Sequence, residues 1–278
     1  MRSTRSWQPR AGVALASLLL VSACGVAQPE GPASTTPAAS KLPASAAAGA
    51  EAAAAIRAAG SASDRSPADR ALDTGRRPAE TLAFFGVAPG MRVAEIQAGT
   101  GYTAELLARV VGREGRVYAQ NNRFVLEKYA AKPWAERLEK PVNRRIVRLD
   151  TELDDPLPAE AKELDLVIDV LSYHDTVWMK TDRARMNASI FAALERGGAY
   201  VLVDHSGRAG SGLSEVQTLH RIEESVVREE LEQAGCKLAA QGDFLRNPSD
   251  TRDGSASPST AGERRGTSDR FALKFVKP

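Results

Sequence analysis

The chain carries almost no surplus charge: 37 Lys and Arg stand against 35 Asp and Glu, and the basic residues are scattered among the acidic ones. Nucleic-acid binding needs a basic stripe or patch, so no nucleic-acid partner is expected. Cysteine is scarce, with two in 278 residues, which excludes a disulfide framework. Histidine is scarce too: there are three, and none belongs to an HExxH-type ligand pair at helical spacing, so no metal is assigned from a motif. No internal repeat is visible, which sets solenoids and propellers aside. The apolar run from Ala11 to Val21 falls short of the ~20 residues that span a bilayer.

That run is nevertheless informative. Arg2, Arg5 and Arg10 precede it, and Ser22, Ala23 and Cys24 follow, giving the order of charge, apolar stretch and small residues that marks an export signal. Val21-Ser22-Ala23-Cys24 resembles a bacterial lipobox, in which the cysteine becomes the lipidated N-terminus; Gly25, in place of an acidic residue, then implies sorting to the outer membrane. The expectation is a signal peptide over residues 1–24, lipidation at Cys24, and a protein on the periplasmic side of the envelope that meets the membrane only through its anchor. Residues 25–63 are mostly Ala, Pro, Ser, Thr and Gly, a composition that cannot offset the entropy of ordering, and they read as a disordered tether. Within them Ala46 to Ala59 favours helix but has no apolar stripe to dock. Cys236, without an intrachain partner, follows Gly235 between a helix and a strand and reads as a small buried hydrophobe.

The remaining stretch, 64–278, suits one domain, with 43% hydrophobic residues in the chain to build its core. Short apolar runs alternate with helical stretches, which predicts an α/β fold with a parallel sheet covered by helices on both faces. Strands are expected at Arg92–Ile96, Arg116–Gln120, Ile146–Leu149, Leu164–Leu171, Ala199–Asp204, Leu238–Phe244 and Phe271–Val276. Helices are expected at Pro67–Phe85, Tyr102–Val110, Arg123–Leu138, Asp182–Leu194 and Glu223–Ala234, with Gly197-Gly198 and Gly235 stopping the last two. Pro248–Thr267, rich in Ser, Asp, Gly, Arg and Pro, separates the last two strands and reads as a lid or as disorder.

In an open parallel sheet, ligands bind beyond the carboxyl ends of the strands. After the first expected strand comes Glu95-Ile96-Gln97-Ala98-Gly99-Thr100-Gly101-Tyr102. Its glycines let backbone amides approach a ligand closely, and the adjoining helix N-terminus adds unpaired N–H groups. Asn121 follows the second strand, offering an acceptor without charge, and Asp150 follows the third. Tyr173-His174-Asp175 follows the fourth, Asp204-His205-Ser206 the fifth, and His220-Arg221 precedes the next helix, so all three histidines fall on one rim. An imidazole of near-neutral pKa suits a general base, and Asp175 and Asp204 can orient one. The same five side chains can instead hold a divalent metal, since imidazole and carboxylate are ordinary ligands. Among Arg70, Arg76, Arg77, Arg246 and Arg270, Arg77 reads as a surface ion-pairing residue, while Arg246 and Arg270 flank the long loop and can close over an anionic group.

The glycine turn resembles the cofactor loop of class I S-adenosylmethionine-dependent methyltransferases. The stretch from Asp64 to Pro278 also resembles a group of exported proteins known only as predicted methyltransferases, through Arg77-Pro78-Ala79-Glu80, Tyr173-His174-Asp175, Val203-Asp204-His205, Leu219-His220-Arg221-Ile222, Leu245-Arg246-Asn247-Pro248 and Thr267-Ser268-Asp269-Arg270-Phe271. The resemblance implies a Rossmann-like fold with a seven-stranded, mostly parallel sheet whose last strand is antiparallel. It implies S-adenosylmethionine as cofactor, met by Glu95, Gln97, Gly99, Gly101, Asn121 and Asp150. Gln97 stands where the family has a glycine, and Asn121 where it has an acid. Methyl transfer is then expected to use His174 as base, with Asp175, His205 and Tyr173 around it. His220, Arg221, Arg246 and Asp204 are expected to hold a small or medium-sized acceptor under the Pro248–Thr267 loop. Two rivals accompany this reading: a binding module for an envelope metabolite that kept the fold and lost the reaction, and a metal-dependent enzyme using the His174, His205 and His220 rim.

Overall fold

The computed structural model describes residues 42–278; Cys24 and the first part of the expected tether lie outside the described residues. Three helices open it, α1 Leu42–Ser61, α2 Pro67–Arg76 and α3 Pro78–Phe85, followed by β1 Arg92–Ile96, α4 Tyr102–Val111 and β2 Arg116–Asn121. A broken helix comes next: α5 Arg123–Val125, a π turn over Leu126–Ala130, and α6 Ala131–Leu138, leading to β3 Ile146–Asp150 and β4 Leu164–Val170. The second half runs α7 Asp175–Trp178, α8 Arg183–Ala193, β5 Leu194–His205, α9 Val216–Leu219, α10 Glu224–Gln233, β6 Lys237–Gly242 and β7 Arg270–Val276.

The seven strands form one sheet in the order β3-β2-β1-β4-β5-β7-β6. Strands β1 to β5 pair in parallel, and β7 runs antiparallel to both β5 and β6. Strand order reverses between β1 and β4, which opens a crevice above their carboxyl ends. The expected mostly parallel sheet with an antiparallel last strand is therefore present. Its central strands are buried on both faces, as such sheets require. Ala94, Ile96, Val167, Tyr200 and Leu202 face a core with α8 and α10, while Val93, Leu166, Ile168, Val201 and Val203 face one with α3 and α4.

Four expectations need correction. The expected tether does not extend to residue 63: α1 is a formed helix, with Ile56 and Ala59 buried against the core residues Leu82 and Leu106. A single isoleucine among alanines makes no visible stripe, yet methyl side chains let helices approach closely and still exclude water. The Pro67–Phe85 segment is two helices, because Arg77 takes a left-handed backbone (φ 45°) between them. Strand β5 starts at Leu194, not Ala199, and Gly197-Gly198 sits inside it instead of stopping a helix. The register shifts there, and a Cβ on Gly198 would lie 2.6 Å from the Leu164 carbonyl oxygen, so only glycine permits that bulge. Finally, of the two readings of the 248–267 loop, disorder falls away, because the loop is a folded strap. The Ala256 N–H donates to the Leu219 carbonyl at 2.8 Å, and the Asp269 N–H donates to Asp250 Oδ2 at 2.6 Å.

Among the described residues, no helix is long and apolar enough to cross a membrane. Cys236 is buried and, among the described residues, unpaired, and burial raises its thiol to about 11, as suits a packing residue.

Candidate functional site

The glycine turn after β1 is held from beneath by side chains of β2. The Gln97 N–H donates to Gln120 Oε1 at 3.0 Å and the Gln97 amide donates to the Ser172 carbonyl at 3.2 Å, tying the turn to the end of β4. Gln97 has a left-handed backbone (φ 51°), the conformation for which glycine is ordinarily preferred. Asn121 is fully buried; its Oδ1 accepts the Gly99 N–H at 2.7 Å and its amide donates to the Gly99 carbonyl at 3.0 Å. Gly101 also has positive φ (84°), and a Cβ there would clash with the Trp134 ring. Gly101 therefore serves the packing of the turn against α6. We expect Gly101→Ala to cost about 1–3 kcal/mol in chemical denaturation, from overpacking against a fully buried indole.

Beneath this turn Glu95 is 3% exposed, and its Oε2 has no hydrogen-bond partner among the described residues. Burial pushes its carboxyl up to about 8, against the lowering influence of Thr103 and Arg76. Arg76 stacks on the Tyr102 ring, 4.6 Å from its centroid, and lines a cavity together with Gln97 and Gly99.

The three histidines converge as expected. The His174 and His205 ring centroids lie 5.6 Å apart, and those of His174 and His220 lie 5.4 Å apart. Asp204, at the end of β5, is fully buried and organises them. Its Oδ2 accepts the His174 N–H at 2.8 Å, and its Oδ1 meets His174 Nδ1 at 2.7 Å and accepts the His205 N–H at 2.7 Å. On the other side of the ring, His174 Nε2 lies 3.1 Å from Asp175 Oδ1 and 3.3 Å from His220 Nδ1. The Trp178 indole N–H fixes Asp175 Oδ1 at 2.7 Å. Burial alone would lower the His174 pKa, but Asp204 and Asp175 outweigh it and hold the ring near 10. Asp175 is correspondingly lowered: burial opposes ionisation, and the His174 and His220 rings overcome it. His205 is held well below its ordinary value by burial and by the nearby charge on His174. Its Nδ1 pairs with Ser268 Oγ at 2.8 Å.

These elements share one cavity of about 400 Å³, within the usual size of a small-molecule site. Gln97 and Gly99 line one side, His174, Asp175, His205 and His220 another, and Val125, Tyr129, Trp178 and Met179 form an apolar wall. Ala256 to Ser259 of the strap cover it.

Several expected residues do not join it. Tyr173 points into the core, where its hydroxyl donates to Glu230 Oε2 at 2.6 Å and accepts from the Asn187 amide at 2.8 Å. The turn after β4 sends the Tyr173 side chain to Glu230 and Asn187 and the His174 side chain to Asp204. Arg221 is 2% exposed and spent on Asp250 (2.9 Å) and the Gly254 carbonyl (2.9 Å), pinning the strap. Arg246 pairs with Glu224 at 2.5 Å and reaches Ser206 Oγ at 3.0 Å, and Arg270 donates to the Gly75 carbonyl; neither reaches the cavity. Asp150 is exposed and paired with Arg148 at 2.7 Å, and Asn121 is consumed by Gly99. His174 also differs from the free base expected of it, because both ring nitrogens are engaged and the ring keeps its proton.

The sequence pointed to the 248–267 loop as a whole but singled out neither the apolar wall nor, within that loop, Ala256 to Ser259. Val125 and Tyr129 stand four residues apart on a helix, which was a usable signal for a common face. Ala256-Ser257-Pro258-Ser259 carries no chemical signature at all.

Comparison with known proteins places the fold. The family model described as protein-L-isoaspartate(D-aspartate) O-methyltransferase matches residues 74–136, from the end of α2 into α6. No curated protein sequence matches the chain. A SAM-dependent methyltransferase from Aquifex aeolicus superposes with a TM-score of 0.53 at 17% identity, covering 77% of this chain and 94% of that one. A putative methyltransferase from Haloferax volcanii, solved with the Trm112 activator, gives 0.53 at 17% identity over 81% and 97% of the two chains. The cyclase SpnF gives 0.51 at 20% identity over 79% and 84%. The domain thus has the Rossmann-like fold of class I methyltransferases.

Proposed function

We propose that the domain is an S-adenosylmethionine-dependent methyltransferase acting on a small or medium-sized acceptor. The observation that carries this reading is the single cavity that joins the glycine turn after β1 to the imidazoles after β4 and β5. The cofactor, when bound, supplies an electrophilic methyl group on a sulfonium. The residues present fit its amino-acid end: the unpartnered Oε2 of Glu95 offers a buried acceptor for an ammonium group. The wall of Val125, Tyr129, Trp178 and Met179 offers apolar surface to an aromatic base. No acid faces a ribose at Asn121 or an adenine amino group at Asp150, so specificity there rests on shape.

On the acceptor side, His205 is fixed through Nδ1, and its Nε2 is left to accept the proton that a nucleophile gives up. His174 acts as a positioning residue, holding Asp175 and His220 at the cavity floor. Ala256 to Ser259 of the strap line the cavity beside them. Calorimetry on the full chain with S-adenosylmethionine, or with its demethylated product, tests the reading: one site per chain is expected, and no heat at millimolar ligand ends it.

A second reading is favoured by one observation: Asn121 spends both ends of its amide on Gly99. It is a binding module for a small metabolite, with the reaction lost. In that case the cavity takes the metabolite and the cofactor gives no heat.

For location, we propose export and lipidation at Cys24, on the lipobox resemblance of Val21-Ser22-Ala23-Cys24. Cys24→Ser is expected to abolish incorporation of labelled fatty acid and to move the protein out of the membrane fraction. Equal labelling of the variant contradicts this.

A further inference from the structure

We propose that His174, Asp175 and His220 form a binding site for one divalent transition-metal ion, with its open positions facing the cavity. The three candidate ligand atoms are His174 Nε2, Asp175 Oδ1 and His220 Nδ1, and they form a closed triangle. Its sides are 3.1 Å between His174 and Asp175, 3.3 Å between His174 and His220, and 3.5 Å between His220 and Asp175. Ligand atoms that share an ion at about 2.1 Å, at angles of about 90–110°, stand about 3.0–3.5 Å apart. The triangle therefore has the size that a single ion imposes on one face of its coordination shell. Two imidazoles and one carboxylate on one face, with the opposite face open, is the arrangement that suits iron(II) or zinc in catalytic centres.

The surroundings orient each ligand. Asp204 Oδ1, 2.7 Å from His174 Nδ1, accepts the hydrogen bond of that N–H and turns Nε2 toward the triangle, where an ion would displace the Nε2 proton. The Trp178 indole holds Asp175 Oδ1 in place at 2.7 Å. His220 sits in a left-handed backbone conformation (φ 51°) at the end of α9, which swings its ring out of the helix toward the other two. Its side chain is 28% exposed and Asp175 is 24% exposed, so an ion reaches them from the cavity. His205 stays outside the group, because neither of its ring nitrogens comes close enough to the other three ligand atoms to share an ion with them. An ion here would offer its remaining positions to water or to an oxygen atom of the molecule held in the cavity. The triangle involves neither Glu95 nor the glycine turn, so the inference stands whether or not the cofactor binds.

The test uses the full chain, stripped with a chelator, without S-adenosylmethionine, and titrated with Co2+ alone. One Co2+ per chain is expected, with visible d–d absorption that Zn2+ displaces. The ring-proton signals of His174 and His220 should shift furthest in the NMR spectrum of the Co2+ form. His220→Ala and Asp175→Asn should each weaken Co2+ binding about 100-fold, and Asp204→Asn, which acts through His174, about 10-fold, with unchanged circular dichroism. The proposal is overturned if Co2+, Zn2+ and Mn2+ all fail to bind stoichiometrically at about 0.1 mM. It is also overturned if Co2+ binding survives His220→Ala, or if the histidine signals of the wild-type chain do not move.

Discussion

Asp204→Ala is expected to lower the unfolding free energy by about 3–5 kcal/mol, the range for removing one partner from a buried charge pair. The carboxylate is fully buried, and its oxygens serve the His174 N–H, the His174 ring and the His205 N–H. Deleting it strands two backbone donors and leaves a 3% exposed imidazolium with Asp175 as its remaining carboxylate neighbour. His174 would then give up its proton more readily, softening the loss above neutral pH. Urea denaturation at pH 6 and pH 8 checks both points. A loss below about 1 kcal/mol, the value of a surface pair, would mean that Asp204 does not organise the rim.

Glu95→Gln is expected to move stability and ligand affinity in opposite directions. Burial holds the native Glu95 carboxyl near 8, against an ordinary value of 4.5. Between those values the folded chain binds a proton that the unfolded chain has lost, so the wild type loses stability as pH rises through this window. Below pH 4.5 the residue costs nothing through this term, and above pH 8 the penalty is complete, on the order of several kcal/mol. Glutamine keeps the shape without the charge. The variant should match the wild type at pH 4.5, exceed it at pH 8.5, and show a flatter profile between. It should also bind S-adenosylmethionine about 10- to 100-fold more weakly, since a charge-assisted hydrogen bond is worth about 1.5–3 kcal/mol. A carboxylate kept at a cost to the fold is the pattern of a residue retained for binding. Parallel stability profiles for the two proteins would remove that argument.

The strands were legible because burial on both faces leaves short, dense apolar runs, and β1 falls where those runs place it. The start of β5 was not, because Gly197-Gly198 reads locally as a helix stop. The close approach of Gly198 to Leu164 belongs to a neighbouring strand that sequence proximity does not reveal. The docked α1 was hidden for a related reason: alanine packs through shape, which leaves no periodic signal.

At the site, position along the chain foretold which loops meet but not which way each side chain turns. His174, His205 and His220 gather because strands β4 and β5 end side by side. Their immediate neighbours Tyr173 and Arg221 face the core and the strap, and Arg246 is drawn off by Glu224. The demand on Asn121 was equally invisible, since it arises from a backbone amide twenty-two residues earlier in the chain.

The central claim is that the cofactor crevice and the imidazole rim are one cavity, and the scarcity of histidine makes it directly measurable. With three histidines in the chain, their ring signals can be followed individually by NMR while the demethylated cofactor product is titrated into the full chain. The account predicts that the His205 and His220 signals shift along one saturable curve, with the midpoint found by calorimetry. Cofactor binding that leaves all three rings unmoved would contradict it.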